Sequence, residues 1–228
     1  FCELSDGETG KCLSRQMDGI YSVLKSTCLT SINVDPIEKK PIFHFRPNSK
    51  VLSIGGRGCV LNCEICQNYS ISQQLHEKVV RLSANDLFIL AKNKKVDGIF
   101  FSYNEPTIYY EYLAEVSKLC HENGLFFGIK TSAYINYDLW RNVCHICDTM
   151  NIDIKGTEED YRNRCDGLSY SSVINNIKYA LKMKGKDFPL KNIEISIPVY
   201  PDIENYGEWI RKILEIVSFY KDTPIHLL

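Results

Sequence analysis

The stretch that decides how this chain is read is Cys59-Val-Leu-Asn-Cys63-Glu-Ile-Cys66. Three thiols fall within eight residues, at intervals of four and then three. Once deprotonated, all three can turn toward one point and hold a single iron–sulfur cluster or metal ion. A fully ligated cubane takes four protein ligands, and a structural zinc site also closes with four. Three cysteines therefore leave one position without a local partner, open to a small molecule. The opposing reading is a zinc knob that borrows a fourth ligand such as Cys28 or His76.

Outward from this loop, the chain alternates apolar strand and amphipathic helix. Strands are expected at Lys50–Gly56, Val96–Ser102, Leu125–Thr131, Asp148–Ile154, Asn192–Val199 and Thr223–Leu228. Ser83-Ala-Asn-Asp86 and Thr157-Glu-Glu-Asp160 have the form of capping boxes, with the acid favoured at a helix N-terminus. Helices are expected at Ile108–Glu122, which stops before Gly124, and at Ser171–Lys184 and Tyr206–Tyr220. Six βα units with short connections predict an α/β fold with a parallel sheet and helices outside. Gly55, Gly56 and Gly58 end the first strand just ahead of Cys59. That is where barrel active sites gather, at the strands' C-terminal ends.

Strand faces point the same way. In Asn151-Ile-Asp-Ile-Lys155 the isoleucines share one face, and Asn151, Asp153 and Lys155 the other. In Ile193-Glu-Ile-Ser-Ile197 the isoleucines again share a face, opposite Glu194 and Ser196. Isoleucine belongs against the helices, so the polar set faces inward. A closed barrel fills its interior with branched apolar residues; a polar lining predicts an open barrel that holds a polar ligand.

The spacing Cys-x3-Cys-x2-Cys, in the context Gly58–Asn68, resembles the radical S-adenosylmethionine (SAM) superfamily, in the branch that includes pyruvate formate-lyase activators. The resemblance implies a partial (β/α)6 TIM-type barrel over residues 50–228, preceded by an irregular N-terminal extension over 1–49. It implies a 4Fe–4S cluster on Cys59, Cys63 and Cys66 whose fourth iron is chelated by SAM. Gly98-Ile-Phe-Phe-Ser-Tyr-Asn-Glu-Pro106 resembles the superfamily's Gly-Gly-Glu-Pro segment, which places Tyr103, Asn104 and Glu105 at the methionyl ammonium group. Lys130-Thr-Ser-Ala-Tyr134 sits where relatives have Thr-Asn-Gly, so Lys130 and Thr131 are expected beside the cofactor, although the glycine is missing. Asp153 and Lys155 match an Asp-x-Lys strand that holds the methionyl carboxylate and ribose. Glu194 and Ser196 complete the expected cofactor contacts, and Ile197–Asp202 loosely matches an adenosine-side turn. Within the superfamily, Asp35-Pro-Ile-Glu-Lys-Lys-Pro-Ile-Phe-His-Phe45 resembles the radical enzyme of the AmmeMemoRadiSam system.

The 228 residues carry a net charge of −1, which gives no electrostatic footprint for bulk nucleic-acid or membrane-surface binding. Apolar runs such as Gly124–Ile129 are far too short to span a bilayer. Ten cysteines with metal spacing in a chain this large point to a reducing cytoplasm rather than a disulfide scaffold. Cys2, Cys12 and Cys28 either mark a second metal segment or are ordinary thiols; Cys144, Cys147, Cys120 and Cys165 read as buried structural thiols. The chain opens on Phe1 and stops inside an expected strand, so sequence beyond both ends is expected.

The expected function is thus a radical SAM enzyme. It takes an electron from a donor such as flavodoxin or ferredoxin, cleaves SAM to methionine and a 5′-deoxyadenosyl radical, and abstracts hydrogen from a small-molecule, peptide or protein substrate. One alternative generates a glycyl radical on a partner protein; no ferredoxin-like insert of cysteines lies between Cys66 and Cys120 to support it. Another, of a different class, is a non-catalytic zinc or iron–sulfur electron-transfer module.

Overall fold

A computed structural model describes residues 3–74, 78–186, 189–203, 205–218 and 222–228. Cys2, His76 and the last residues of the helix expected to end at Tyr220 lie outside these. A hairpin, β1 (Arg15–Asp18) and β2 (Tyr21–Leu24), precedes a seven-stranded sheet of β3 (Leu29–Pro36), β4 (Lys50–Gly56), β5 (Gly98–Phe101), β6 (Phe126–Thr131), β7 (Thr149–Asp153), β8 (Asn192–Ile197) and β9 (Ile225–Leu227). Strands β4 to β9 are parallel and neighbour one another in chain order, as a partial barrel requires. The fold is α/β, as expected. One strand differs: β3, within the segment expected to be an irregular extension, pairs antiparallel with β4 from Leu29↔Gly56 to Pro36↔Lys50.

Around the sheet stand α1 (Tyr69–Ser72), α2 (Ala84–Asn93), α3 (Tyr110–Glu122), α4 (Tyr137–Ile146), α5 (Glu158–Arg164), α6 (Tyr170–Met183) and α7 (Tyr206–Val217). Both capping boxes form: Ser83 Oγ accepts from Asp86 N at 3.1 Å, and Asp160 Oδ2 accepts from Thr157 N at 2.7 Å. The helix expected from Ile108 opens as a tight turn, Pro106–Tyr109, because Pro106 suits the first helical position and Glu105 caps Thr107 N at 3.2 Å. α4 has no capping box to announce it. Its signal is Asn136, whose side chain accepts from Asp138 N and Leu139 N.

The outward strand faces, including Leu52, Ile54, Ile99, Phe101, Phe127, Ile152, Ile154 and Ile195, are buried against the helices in one core. Each such side chain contributes roughly 1.5–3 kcal/mol on burial. Cys120, Cys144 and Cys147 are buried in this core, and burial pushes the Cys120 and Cys144 thiols up to about 12.

The inward face is not polar throughout. Val51, Phe100 and Phe126 pack with Ile37 and Ile42 of the strap that joins β3 to β4, and Phe45 lies against them. Gly128 makes room for this floor, since a Cβ there would come within 2.6 Å of the Phe100 ring. The N-terminal segment therefore plugs the barrel's lower end, and the polar residues lie above the plug.

Candidate active site

Above that floor a cavity of about 400 Å³ opens at the strands' C-terminal ends. Cys59, Cys63, Cys66, Tyr103, Asn104, Glu105, Lys130, Thr131, Asp153 and Lys155 all line it. Glu194 and Ser196 do not. Glu194 is held lower in the barrel: Oε1 accepts from Phe43 N at 2.9 Å and His44 N at 2.8 Å, and Oε2 meets His226 Nε2 at 2.7 Å and His44 Nδ1 at 3.2 Å. Burial alone would raise the Glu194 pKa, but these donors hold it below the usual carboxylate range. Ser196 donates to Asn151 Oδ1 at 3.0 Å and is fully buried. Both residues face inward, as the alternation requires, but Glu194 stands level with Asn151, one step below Asp153, and Ser196, level with Asp153, is turned down onto Asn151.

The cysteine loop is fastened on three sides. Gly58 has φ +90°, and a Cβ there would fall 1.8 Å from Cys12 O, so only glycine fits. Asn62 N donates to Cys165 O at 3.0 Å and Glu64 N to Arg164 O at 2.7 Å, tying the loop to the end of α5. Tyr109 OH accepts from Arg57 N at 2.8 Å, beneath the loop.

All nine described cysteines are free thiols, and Cys12 and Cys28 are buried. Burial pushes the Cys59 thiol up to about 12, and a hydrogen bond with Cys165, followed by burial, raises Cys63 as well. Thiols so disfavoured as anions become thiolates only against a cationic centre, which suits this donor set to a metal cluster. Among the described residues, no three His, Cys, Asp or Glu side chains are gathered closely enough to hold a single ion. A cluster takes one thiolate on each iron, and the loop offers three. The contact with Cys63 sets Cys165 apart from the structural thiols of the core. Sequence spacing could not show it, because the two residues meet only through the docking of α5 on the loop.

Tyr103, Asn104 and Glu105 each hold a different segment. Tyr103 OH donates to Asp35 Oδ2 at 3.0 Å. Asn104 Oδ1 accepts from Gly56 N at 3.0 Å and its Nδ2 donates to Gly58 O at 2.7 Å, clamping the cysteine loop. Glu105 is 2% exposed. One of its oxygens accepts from Thr107 N, Thr107 Oγ1 and Thr131 Oγ1, the other from Ser132 N and Ser132 Oγ. These five donors satisfy the carboxylate within the protein. Where relatives were expected to need a glycine, Ala133 takes φ 55°. Tyr103 is also left-handed, at φ 73°. Such a conformation costs an ordinary residue about 1–2 kcal/mol, and it persists where surrounding contacts impose it; here those are the Glu105 and Asp35 anchors.

On the opposite wall Asp153 bridges two lysines. Lys155 Nζ donates to Oδ2 at 2.8 Å, and Lys130 Nζ donates to Oδ1. Burial by itself would lower the Lys155 pKa, but Asp153 and Cys63 raise it above the ordinary lysine value. Lys130 ends lower than usual, because burial and the charges of Lys155 and Lys40 outweigh Asp153. Tyr200 OH donates to Lys155 O at 2.9 Å. Of the turn at 197–202, Pro198 and Tyr200 reach the cavity, while Asp202 pairs with Arg164 at 2.8 Å.

Partial barrel, three-thiol loop and lysine–aspartate wall together define an enzyme that docks a small cofactor on an open-cornered metal cluster. The family model of the radical SAM superfamily matches residues 53–212. The chain belongs to the radical SAM superfamily: it is a radical SAM enzyme whose cofactors are a 4Fe–4S cluster and S-adenosylmethionine.

The uncharacterised protein MJ0808 of Methanocaldococcus jannaschii is 32% identical over 99% of this chain, which spans 66% of that protein's length. The pyruvate formate-lyase-activating enzyme of Clostridium pasteurianum is 26% identical over 71% of this chain and 67% of its own length. Among solved structures, Streptococcus suis SuiB bound to S-adenosylmethionine superposes with a TM-score of 0.56 at 16% identity. That match covers 75% of this chain and 38% of SuiB, and shows the fold. Among the described residues no helix is long and apolar enough to cross a membrane.

Proposed function

We propose that this chain cleaves S-adenosylmethionine reductively and aims the product radical at a hydrogen of a substrate held in the same cavity, as an AmmeMemoRadiSam-type enzyme. When bound, the reduced cluster supplies the electron that splits the sulfonium into methionine and a 5′-deoxyadenosyl radical. The observation that supports this most strongly is that all three cluster thiols share one cavity with the Lys130–Asp153–Lys155 wall.

Each residue then has a physical task. Lys155, held protonated by Asp153, presents a fixed cation to a carboxylate of the cofactor. Asn104 sets the cysteine loop against the end of β5. Glu105 acts on the cofactor by holding the ends of β5 and β6 together, which fixes the backbone carbonyls that face the ammonium group. The apolar floor under the cavity keeps water from entering from below, so substrate enters from the strands' C-terminal side. An electron donor of the flavodoxin or ferredoxin kind reaches the cluster at the exposed edge of its loop, in a reducing cytoplasm.

Anaerobic reconstitution, reduction with dithionite and addition of S-adenosylmethionine should yield 5′-deoxyadenosine, and Cys63→Ala should not. A well-loaded, reduced sample that forms none would overturn the reading in favour of an electron-transfer module. A second reading, activation of a partner protein through a glycyl radical, is favoured by the similarity to the Clostridium pasteurianum activating enzyme. It predicts a radical signal on the partner by electron paramagnetic resonance.

A further inference from the structure

We propose that Lys40, with Lys39 and Tyr103, forms an oxyanion subsite in the cavity wall, so that the substrate carries a carboxylate or phosphate group. What the anion belongs to rests on the radical-enzyme reading above; the binding of an anion does not.

The strap between β3 and β4 carries Lys40 into the barrel, where the residue is 2% exposed yet lines the cavity. Its Nζ lies 3.1 Å from Asp35 Oδ2 and 3.3 Å from Tyr103 OH, and 4.5 Å over the Tyr103 ring. Lys39 Nζ reaches the other Asp35 oxygen at 2.8 Å from the more open side. Asp35 thus bridges two ammonium groups, as Asp153 does for Lys130 and Lys155. Each trio keeps one positive charge beyond its carboxylate. Glu105, the other carboxylate lining the cavity, has both oxygens engaged by serine and threonine donors and backbone amides.

Lys40 and Asp35 are buried as a pair while Lys39 stands 65% exposed, so this trio's surplus positive charge lies on the cavity's open side, where an anion can meet it. The Asp153 trio stands beside Cys63 and suits the carboxylate of the cofactor. The Asp35 trio is left for the substrate. An ammonium has three donors, and Asp35 and Tyr103 take two of those on Lys40.

Tyr103 is an independent indication. It is held left-handed at φ 73°, with its ring so close to β4 that a Cβ at Gly55 would meet it at 3.0 Å. Strain of this kind is retained where it positions something, and what the hydroxyl positions is the Asp35–Lys40 pair.

The test uses unreduced, cluster-loaded protein saturated with S-adenosylmethionine, titrated calorimetrically with inorganic pyrophosphate and, separately, with glutarate. At least one should bind. K39Q, which removes the surplus charge, should bind it about 10- to 100-fold more weakly, and the charge-conserving double variant K40M/D35N, which leaves no carboxylate unpaired, and Y103F severalfold more weakly. Preference for pyrophosphate identifies a phosphate on the substrate, and preference for glutarate a carboxylate. If neither anion binds the wild type, or affinity is unchanged in the variants, the subsite is refuted. Should K40M/D35N not fold, K39Q and Y103F decide by the same criterion. Failure of the radical reading would show separately, as missing 5′-deoxyadenosine in the reduced wild type.

Discussion

Replacing Glu105 by glutamine separates two roles that the sequence merges. As a direct cofactor ligand, Glu105 would need a free oxygen lobe; as an internal clamp, it would need its donors. Five donors converge on it, at 3.2, 2.8, 2.7, 2.9 and 2.6 Å. A glutamine can keep its carbonyl toward Thr107 and Thr131. Its NH2 then faces Ser132, whose hydroxyl can turn to accept but whose backbone N–H cannot. One buried N–H left unsatisfied costs about 1–3 kcal/mol, and the remaining bonds lose their charge assistance. The sum is about 3–5 kcal/mol. For a chain of this size that lowers the melting temperature by roughly 10 °C. Differential scanning calorimetry on the metal-free protein reads this without any cofactor. A variant that melts like the wild type but loses affinity for S-adenosylmethionine would refute the clamp and restore the direct contact.

The other predictions concern the loop, its neighbours and the strap. Alanine at Cys59, Cys63 or Cys66 should each abolish the reconstituted cluster, measured as iron and sulfide per chain, whereas Cys165→Ala should retain it. Gly58→Ala forces a Cβ to 1.8 Å from Cys12 O on a left-handed backbone; it should lose more than about 2 kcal/mol by urea denaturation and load iron poorly. Burial alone would raise the Asp35 pKa, but Lys39 and Lys40 depress it far below the usual range. Its stabilisation is therefore complete above the unfolded value, near 3.9, and fades as pH falls toward the depressed one. Asp35→Asn should cost roughly 3 kcal/mol at neutral pH, with the gap to wild type closing below about pH 4 in denaturation series.

Much of this molecule is legible along the chain because its information is local. The strand-and-helix alternation, both capping boxes and the isoleucine faces of β7 and β8 depend on residues within a few positions of each other, and so does the cysteine spacing. Asp153 and Lys155 reach the cavity for the same reason, since alternation on one strand sets their direction. The rest depends on segments distant in sequence. His44 and Glu194 meet across 150 positions, so no local pattern reveals that Glu194 is tied into the barrel floor and does not line the cavity. Likewise Leu29–Pro36 reads as short strand and loop until β4 offers its free edge. Cys165 and Cys63 become neighbours only when α5 docks, and Lys40 enters the cavity only because the strap that carries it is pinned on either side by Ile37 and Ile42 in the floor. Sequence alone determined the fold class and singled out the three-thiol loop, through periodicity and spacing. The tertiary structure alone decided which inward-facing polar groups serve the cavity, because depth along a barrel axis is set by strand register and by whatever fills the lower end.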